Sequence, residues 1–172
     1  MSEMKNKSLV IAYGNRDRED DGAGWHMLSK LVQGLELKPP EFPGDAVTTS
    51  DGQITLRYEY QLTPEMAEDL SGYDRVFFLD AHNSAEMQEI TFETLTEAVE
   101  LSPFSHHLTA PYLLAITKTL YGRHPEAWSL TVRGFSFQFS QNLSPSTSAL
   151  VEAAAAMLIQ KLAYNQQDPQ QD

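Results

Sequence analysis

The sequence contains no cysteine. That excludes a secreted disulfide scaffold, a thiolate nucleophile, a thiolate zinc site and a cysteine-ligated iron–sulfur cluster. Basic residues are scarce: twelve Lys and Arg face twenty-four Asp and Glu, a formal charge of -12. Nucleic acid and anionic membrane both need a positive surface, so neither is an expected partner. Long apolar runs are missing near the start as well. Leu9 to Tyr13, behind a polar Met1 to Lys7, is too short for a signal-peptide core or a membrane span. A cytoplasmic location is therefore expected. Several catalytic signatures are absent too: the Gly-x-Ser-x-Gly elbow, His-Glu-x-x-His, the Gly-x-x-x-x-Gly-Lys phosphate loop and the dinucleotide fingerprint. The length of 172 residues fits one α/β domain spanning 1–172, with polar tails at 1–7 and 165–172.

What is present centres on one stretch, from Val10 to Trp25. An apolar strand turns on Gly14-Asn15. Four carboxylates follow between Asp17 and Asp21, and the chain restarts as a helix through Gly22-Ala23-Gly24. Open α/β sheets bind ligands at such strand-to-helix turns. A phosphate would be repelled by Glu19, Asp20 and Asp21. Gathered carboxylates suit a cation; equally, Asp20 and Asp21 could cap the helix and complement its dipole. Spacing alone leaves both open.

The remaining pattern alternates strands and helices. Ser8 to Tyr13 reads as a buried strand. Gly24 to Leu35 reads as a helix with Trp25, Leu28, Leu31, Val32 and Leu35 on one face and His26 beside them as a surface residue. Lys38 to Gly44, with three prolines, is a loop. Gln53 to Tyr60 is a half-buried strand with Ile54, Leu56, Tyr58 and Tyr60 on one face. A helix capped by Thr63, with Pro64 at its first position, runs to about Ser71. Arg75 to Asp80 is a strand apolar throughout Val76 to Leu79, as expected where both faces are covered. Met87 to Leu95 is a weaker strand. Thr109 to Leu120 is a helix, with Pro111 near its start and Gly122 past its end. Ala127 to Val132 is a strand, and Gly134 to Leu143 a loop or ribbon. Ser144-Pro145 opens a last helix through Leu162, with Leu150, Met157, Leu158 and Leu162 facing the core. This order predicts a three-layer α/β/α sandwich with a largely parallel sheet.

In a parallel sheet, Asp20 and Asp21 after the first strand share an edge with Asp80, which closes an apolar strand. For Asp80 the competing reading is a local turn bond. His106 and His107 precede a helix. Adjacent loop residues rarely ligate one ion together, so one ligand at most is expected from this pair, and both could simply be exposed. Two carboxylates and an imidazole suit a transition ion better than magnesium or calcium. His82 and His124 read as surface loop residues.

Gly14-Asn15 followed by Asp20-Asp21-Gly22-Ala23-Gly24 resembles the N-terminal signature of the nickel–iron hydrogenase maturation endopeptidases. Leu79-Asp80-Ala81 resembles that family's second motif, and Ser105-His106-His107-Leu108-Thr109 its third, in the same order and at comparable separations. The similarity runs from Leu9 to about Leu162. It implies an α/β/α sandwich and a role in removing the C-terminal peptide of a hydrogenase large-subunit precursor once nickel is inserted. By motif position it implies metal contacts at Asp21, Asp80 and His106, with Asp21 and Asp80 also catalytic, and nickel carried in by the substrate. His106 matches better than His107 because it directly follows Ser105. The chain departs from better-known members at Gln61-Leu62-Thr63-Pro64-Glu65, where they have Asp-Gly-Gly, and it lacks their Pro-Gly pair after the second motif. Those departures, with Leu120-Tyr121-Gly122-Arg123, resemble a subgroup serving bidirectional hydrogenases. Two further readings stand beside this one: a non-catalytic nickel sensor or delivery protein using the same residues, and a nucleotide-binding domain, against which the acidic loop argues.

Overall fold

The computed structural model describes residues 6–99 and 107–164. Its centre is a six-stranded sheet in the order β2-β3-β1-β4-β6-β5. The strands are β1 (Ser8–Tyr13), β2 (Ala46–Thr48), β3 (Ile54–Glu59), β4 (Arg75–His82), β5 (Ile90–Leu95) and β6 (Glu126–Arg133). β1 pairs in parallel with β3 and β4, and β4 with β6; the two edge strands, β2 and β5, run antiparallel. This is the expected largely parallel sheet, flanked by helices on both faces.

Alternation along the strands sorts the core into two layers. Val10, Ala12, Phe77 and Leu79 face helices α1 (Ala23–Gly34) and α4 (Pro145–Tyr164), whose Met27, Leu28, Leu31, Val151, Ala154 and Leu158 cover them. Leu9, Ile11, Val76 and Phe78 face α2 (Met66–Ser71) and α3 (Ala110–Tyr121), through Met66, Leu70, Leu113 and Leu114. The central strands are thus buried on both sides, which is why they read as continuous apolar runs. Each fully buried Leu or Phe contributes about 2 kcal/mol relative to exposure.

α3 follows its sequence signals closely. Thr109 is its N-cap, accepting from the Tyr112 N–H at 3.4 Å, and Gly122 closes it in the left-handed region at φ 75°. Other boundaries differ. β4 continues two residues past Asp80, because Ala81 and His82 keep pairing with Val132 and Arg133 of β6. His82 therefore belongs to a strand rather than a surface loop. α2 starts at Met66, with no side-chain cap; the Thr63 and Pro64 carbonyls accept from Met66 and Ala67 in a turn ahead of it. Tyr60 lies beyond β3 and is 52 % exposed, so it leaves the buried face of Ile54, Leu56 and Tyr58. On α4 the core positions are Val151, Ala154, Ala155, Leu158 and Leu162, while Met157 is 40 % exposed. His124 is half-buried, between the Glu97 carboxylate (2.6 Å) and the Pro125 carbonyl (2.8 Å), not free on a loop.

Among the described residues, no helix is long and apolar enough to cross a membrane.

Candidate active site

The loop after β1 is shaped by Gly14. Its φ of 131° suits only glycine, and a Cβ there would sit 2.3 Å from the Asp21 carbonyl oxygen. The chain can therefore fold back so that the Asn15 N–H donates to Asp21 Oδ2 at 2.9 Å. Gly24 allows a second close approach. A Cβ on it would lie 2.5 Å from the Leu79 carbonyl oxygen, so the start of α1 presses directly on β4 beside Asp80.

The acidic run divides into two jobs. Asp20 is fully buried. Its Oδ2 accepts from the Phe135 N–H (2.8 Å), the Ser136 N–H (3.0 Å) and the Ser144 hydroxyl (2.7 Å), and its Oδ1 from the Ser144 N–H (2.8 Å). Burial pushes this carboxyl up, but those donors outweigh it and hold it below its ordinary value. Asp17 and Glu19 are used in the same way: Asp17 Oδ1 accepts from Gln141 Nε2, and Glu19 Oε2 from the Gln138 N–H. The segment after β6 is thus fastened onto the segment after β1. This corrects the expectation of a carboxylate cluster at the sheet edge, because Asp20 has its lone pairs filled and is closed to an ion. Helix capping is not its task either; the N-cap of α1 is Gly22, with no side-chain cap bond.

Asp21 remains on the open side. It lines a cleft of about 340 Å³ at the carboxyl edge of the sheet together with Tyr13, Tyr60, Asp80, His107 and Leu108. Asp80 accepts from the Ala81 N–H at 2.7 Å, a local bond within β4 rather than a turn at loop entry, and it lines the cleft. Burial raises its pKa to about 7. The Ala81 N–H opposes the rise, the charge of Asp21 adds to it, and the Tyr13 hydroxyl opposes it. Tyr13 in turn is pushed far above the ordinary phenol range, by burial first and then by Asp80. A buried carboxyl whose ionisation is opposed by a second carboxylate across a cleft is a site that a cation would relieve.

Asp21 and Asp80, separated by 59 positions in the chain, thus share one cleft. His107 lines it as well. His106 lies outside the described residues. Among the described residues, no group of three His, Asp or Glu side chains could hold a metal ion. Tyr13 was not singled out from the sequence, although its period-two spacing from Leu9 and Ile11 puts it on the α2–α3 face that Asp80 shares with Val76 and Phe78. Thr131 was missed too. It stands opposite Asp80 in the β4–β6 ladder, and its hydroxyl is buried with no hydrogen-bond partner.

No protein-family model matches the sequence, and no curated protein does. Solved structures do match. A [NiFe] hydrogenase maturation protease, HycI from Thermococcus kodakarensis, aligns over 90% of this chain and 91% of its own, at TM-score 0.63 and 17% identity. The hydrogenase maturating endopeptidase HybD from E. coli aligns over 92% and 93%, at TM-score 0.64 and 17% identity. The solution structure of an endopeptidase from Escherichia coli aligns over 92% and 93%, at TM-score 0.66 and 18% identity.

The chain has the fold of the hydrogenase maturation proteases. In both directions the alignment spans about nine-tenths of the chain, so the likeness is one of the whole fold. At this level of identity the likeness establishes the fold, and what is done at the edge that carries Asp21 and Asp80 must be argued from the residues there.

Proposed function

We propose that this protein is an endopeptidase that removes the C-terminal peptide of a nickel–iron hydrogenase large-subunit precursor after nickel insertion. The observation that carries the reading is the Asp21–Asp80 pair, facing one cleft at the carboxyl edge of a sheet that has the maturation-protease fold. Nickel is part of the substrate in this reading. The donor set suits it: two carboxylates and an imidazole from the Ser105-to-Thr109 motif, with His106 as the third ligand, form a mixed oxygen and nitrogen shell. Asp80 holds its proton near neutral pH and gives it up when an ion arrives, so ion binding and proton release are coupled at this oxygen. Anchoring the precursor through its ion brings the scissile bond to the cleft, a gain in orientation worth orders of magnitude in rate. A carboxylate of the same pair activates the attacking water, an aspartic-type cleavage. The compartment consistent with this role is the cytoplasm.

The test is the intact mass of a matched precursor after incubation, with and without nickel loaded. Loss of a C-terminal peptide only from the nickel-loaded form is expected, and Asp21→Ala and His106→Ala should abolish it while leaving the circular dichroism spectrum unchanged. Full processing by both variants would sink the assignment. Nickel-dependent binding without cleavage would make the protein a sensor rather than a protease.

A further inference from the structure

We propose that a second cavity beside the cleft is a specificity pocket. It takes a bulky apolar side chain of the precursor close to the scissile bond. The inference deepens the endopeptidase reading and rests on it.

The cavity has a volume of about 400 Å³, and its walls include Arg16, Trp25, Pro39, Phe42, Tyr58 and Tyr60. Tyr60 also lines the Asp21–Asp80 cleft, so the two spaces adjoin at this residue. Tyr60 and Tyr58 meet edge to face with ring centroids 6.1 Å apart. In an extended peptide, side chains on one face recur about every 7 Å. A chain crossing Tyr60 with its scissile bond at the carboxylates would therefore present a neighbouring side chain to this cavity.

The walls are pre-built, which separates this cavity from an accidental surface hollow. The Arg16 guanidinium lies over the Trp25 indole, 3.7 Å from the ring centroid. The proline-bearing loop opposite is tied down at several points: the Trp25 indole N–H donates to the Pro40 carbonyl at 2.7 Å, Arg16 to the Glu41 carbonyl at 3.2 Å, and the Gly44 N–H to the Tyr58 carbonyl at 2.8 Å. Tyr58 is itself fixed by a hydroxyl bond to the Gly14 carbonyl at 3.0 Å. A wall ordered before binding costs little entropy when the ligand arrives. Above it, Phe42 is 67 % exposed and Tyr60 52 %, an apolar rim around a cavity with little else to cover it. Asp17 and Glu41 also line the cavity, so a phosphate or an acidic side chain would meet repulsion there. The acids thus exclude an anionic group, and the rings of Trp25, Phe42, Tyr58 and Tyr60 with Pro39 and Pro43 offer contact to an aliphatic or aromatic side chain.

The experiment scans the precursor. Each residue within three positions of the cleavage point, on either side, is replaced singly by serine in the nickel-loaded precursor, and kcat and KM are measured with wild-type enzyme and with Phe42→Ser. One position is expected to raise KM at least ~10-fold while kcat changes little, because the lost interaction is binding of an apolar group. In Phe42→Ser the same substrate change should add less than about 2-fold. Tolerance of serine everywhere, or an equal penalty in both enzymes, overturns the pocket while leaving the proteolysis intact. If unmodified precursor is not cleaved at all, the endopeptidase reading fails; the pocket is then judged by titrating a synthetic peptide spanning the junction and following the Trp25 indole N–H signal by NMR. An unmoved signal overturns it, and a saturable shift that Phe42→Ser removes supports it.

Discussion

Replacing Asp20 by alanine takes away one carboxylate and leaves four donors without their acceptor: the Phe135, Ser136 and Ser144 N–H groups and the Ser144 hydroxyl. The hydroxyl can rotate toward another acceptor, but the three amides cannot. An unpaired buried donor costs about 1–3 kcal/mol, and bonds to a charged acceptor are the stronger kind. Partial hydration lowers the total, so the expected loss is roughly 4 kcal/mol, a large share of the ~5–15 kcal/mol that stabilises an ordinary domain. Because these bonds fasten the segment after β6 to the segment after β1, that segment should open first, ahead of the sheet. Urea unfolding of Asp20→Ala should show the lower midpoint. Hydrogen exchange should show lost protection at Phe135, Ser136 and Ser144, with β1 and β4 amides still slow. There is also a pH signature. The Asp20 pKa is lowered in the folded state, so its contribution is complete above the ordinary carboxylate value of 3.8 and is lost as pH falls through the folded value. Asp20→Asn should therefore flatten the acid limb of the wild-type stability curve. The neighbouring Asp21→Ala, which strands only the Asn15 N–H, should cost about 1 kcal/mol. Equal stability of Asp20→Ala and wild type, with unchanged exchange at those three amides, would refute the reasoning.

The Asp80 pKa is raised instead, so the sign reverses: its share of stability is present below the ordinary value of 3.8 and is lost as pH rises through about 7. In metal-free protein, Asp80→Asn should match wild type near pH 4 and exceed it by about 2 kcal/mol above pH 8, after discounting for water around a half-buried carboxyl; parallel stability curves across that range would contradict the raised pKa. Tyr13→Phe removes a hydroxyl that favours the ionised carboxylate, so the midpoint of that pH dependence should move upward, as read by titrating the Asp80 carboxyl by carbon NMR. Gly24→Ala should lower the melting temperature by several degrees despite alanine's better helix propensity, because the added Cβ meets backbone at Leu79 that cannot step aside; an unchanged or higher melting temperature would mean that the helix can shift without cost.

The architecture was legible from local pattern. Val76 to Leu79 read as a two-sided strand because both faces of β4 are covered, and Ile54, Leu56 and Tyr58 read as one-sided because β3 buries alternate residues. Thr109, Pro111 and Gly122 marked α3 because capping and a left-handed turn are decided within a few residues. Where the chain's local preferences were weak, the boundaries moved. β4 extends through Ala81 and His82 only because β6 lies alongside to pair with them. Met157 was assigned to the core by helical spacing, but α4 turns its small residues Ala154 and Ala155 inward instead.

The candidate site shows the same division more sharply. An acidic run after a Gly-Asn turn, and an aspartate at the end of an apolar strand, can be read from the sequence, because a parallel sheet brings the ends of its strands to one edge. Local pattern did not say which acid of that run would face the cleft; only the motif resemblance pointed to Asp21. Asp20 finds its donors 115 to 124 positions away, on a segment whose position depends on β6 and α4 being in place. Those distant N–H groups claim Asp20 and leave Asp21 opposite Asp80. The raised pKa of Asp80, its link to Tyr13 and the cavity between α1 and the proline-bearing loop have the same origin. Residue order determines which faces are apolar and where the chain turns. Desolvation, charge proximity and hydrogen-bond pairing depend on what the rest of the chain brings alongside, so tertiary structure alone decided them.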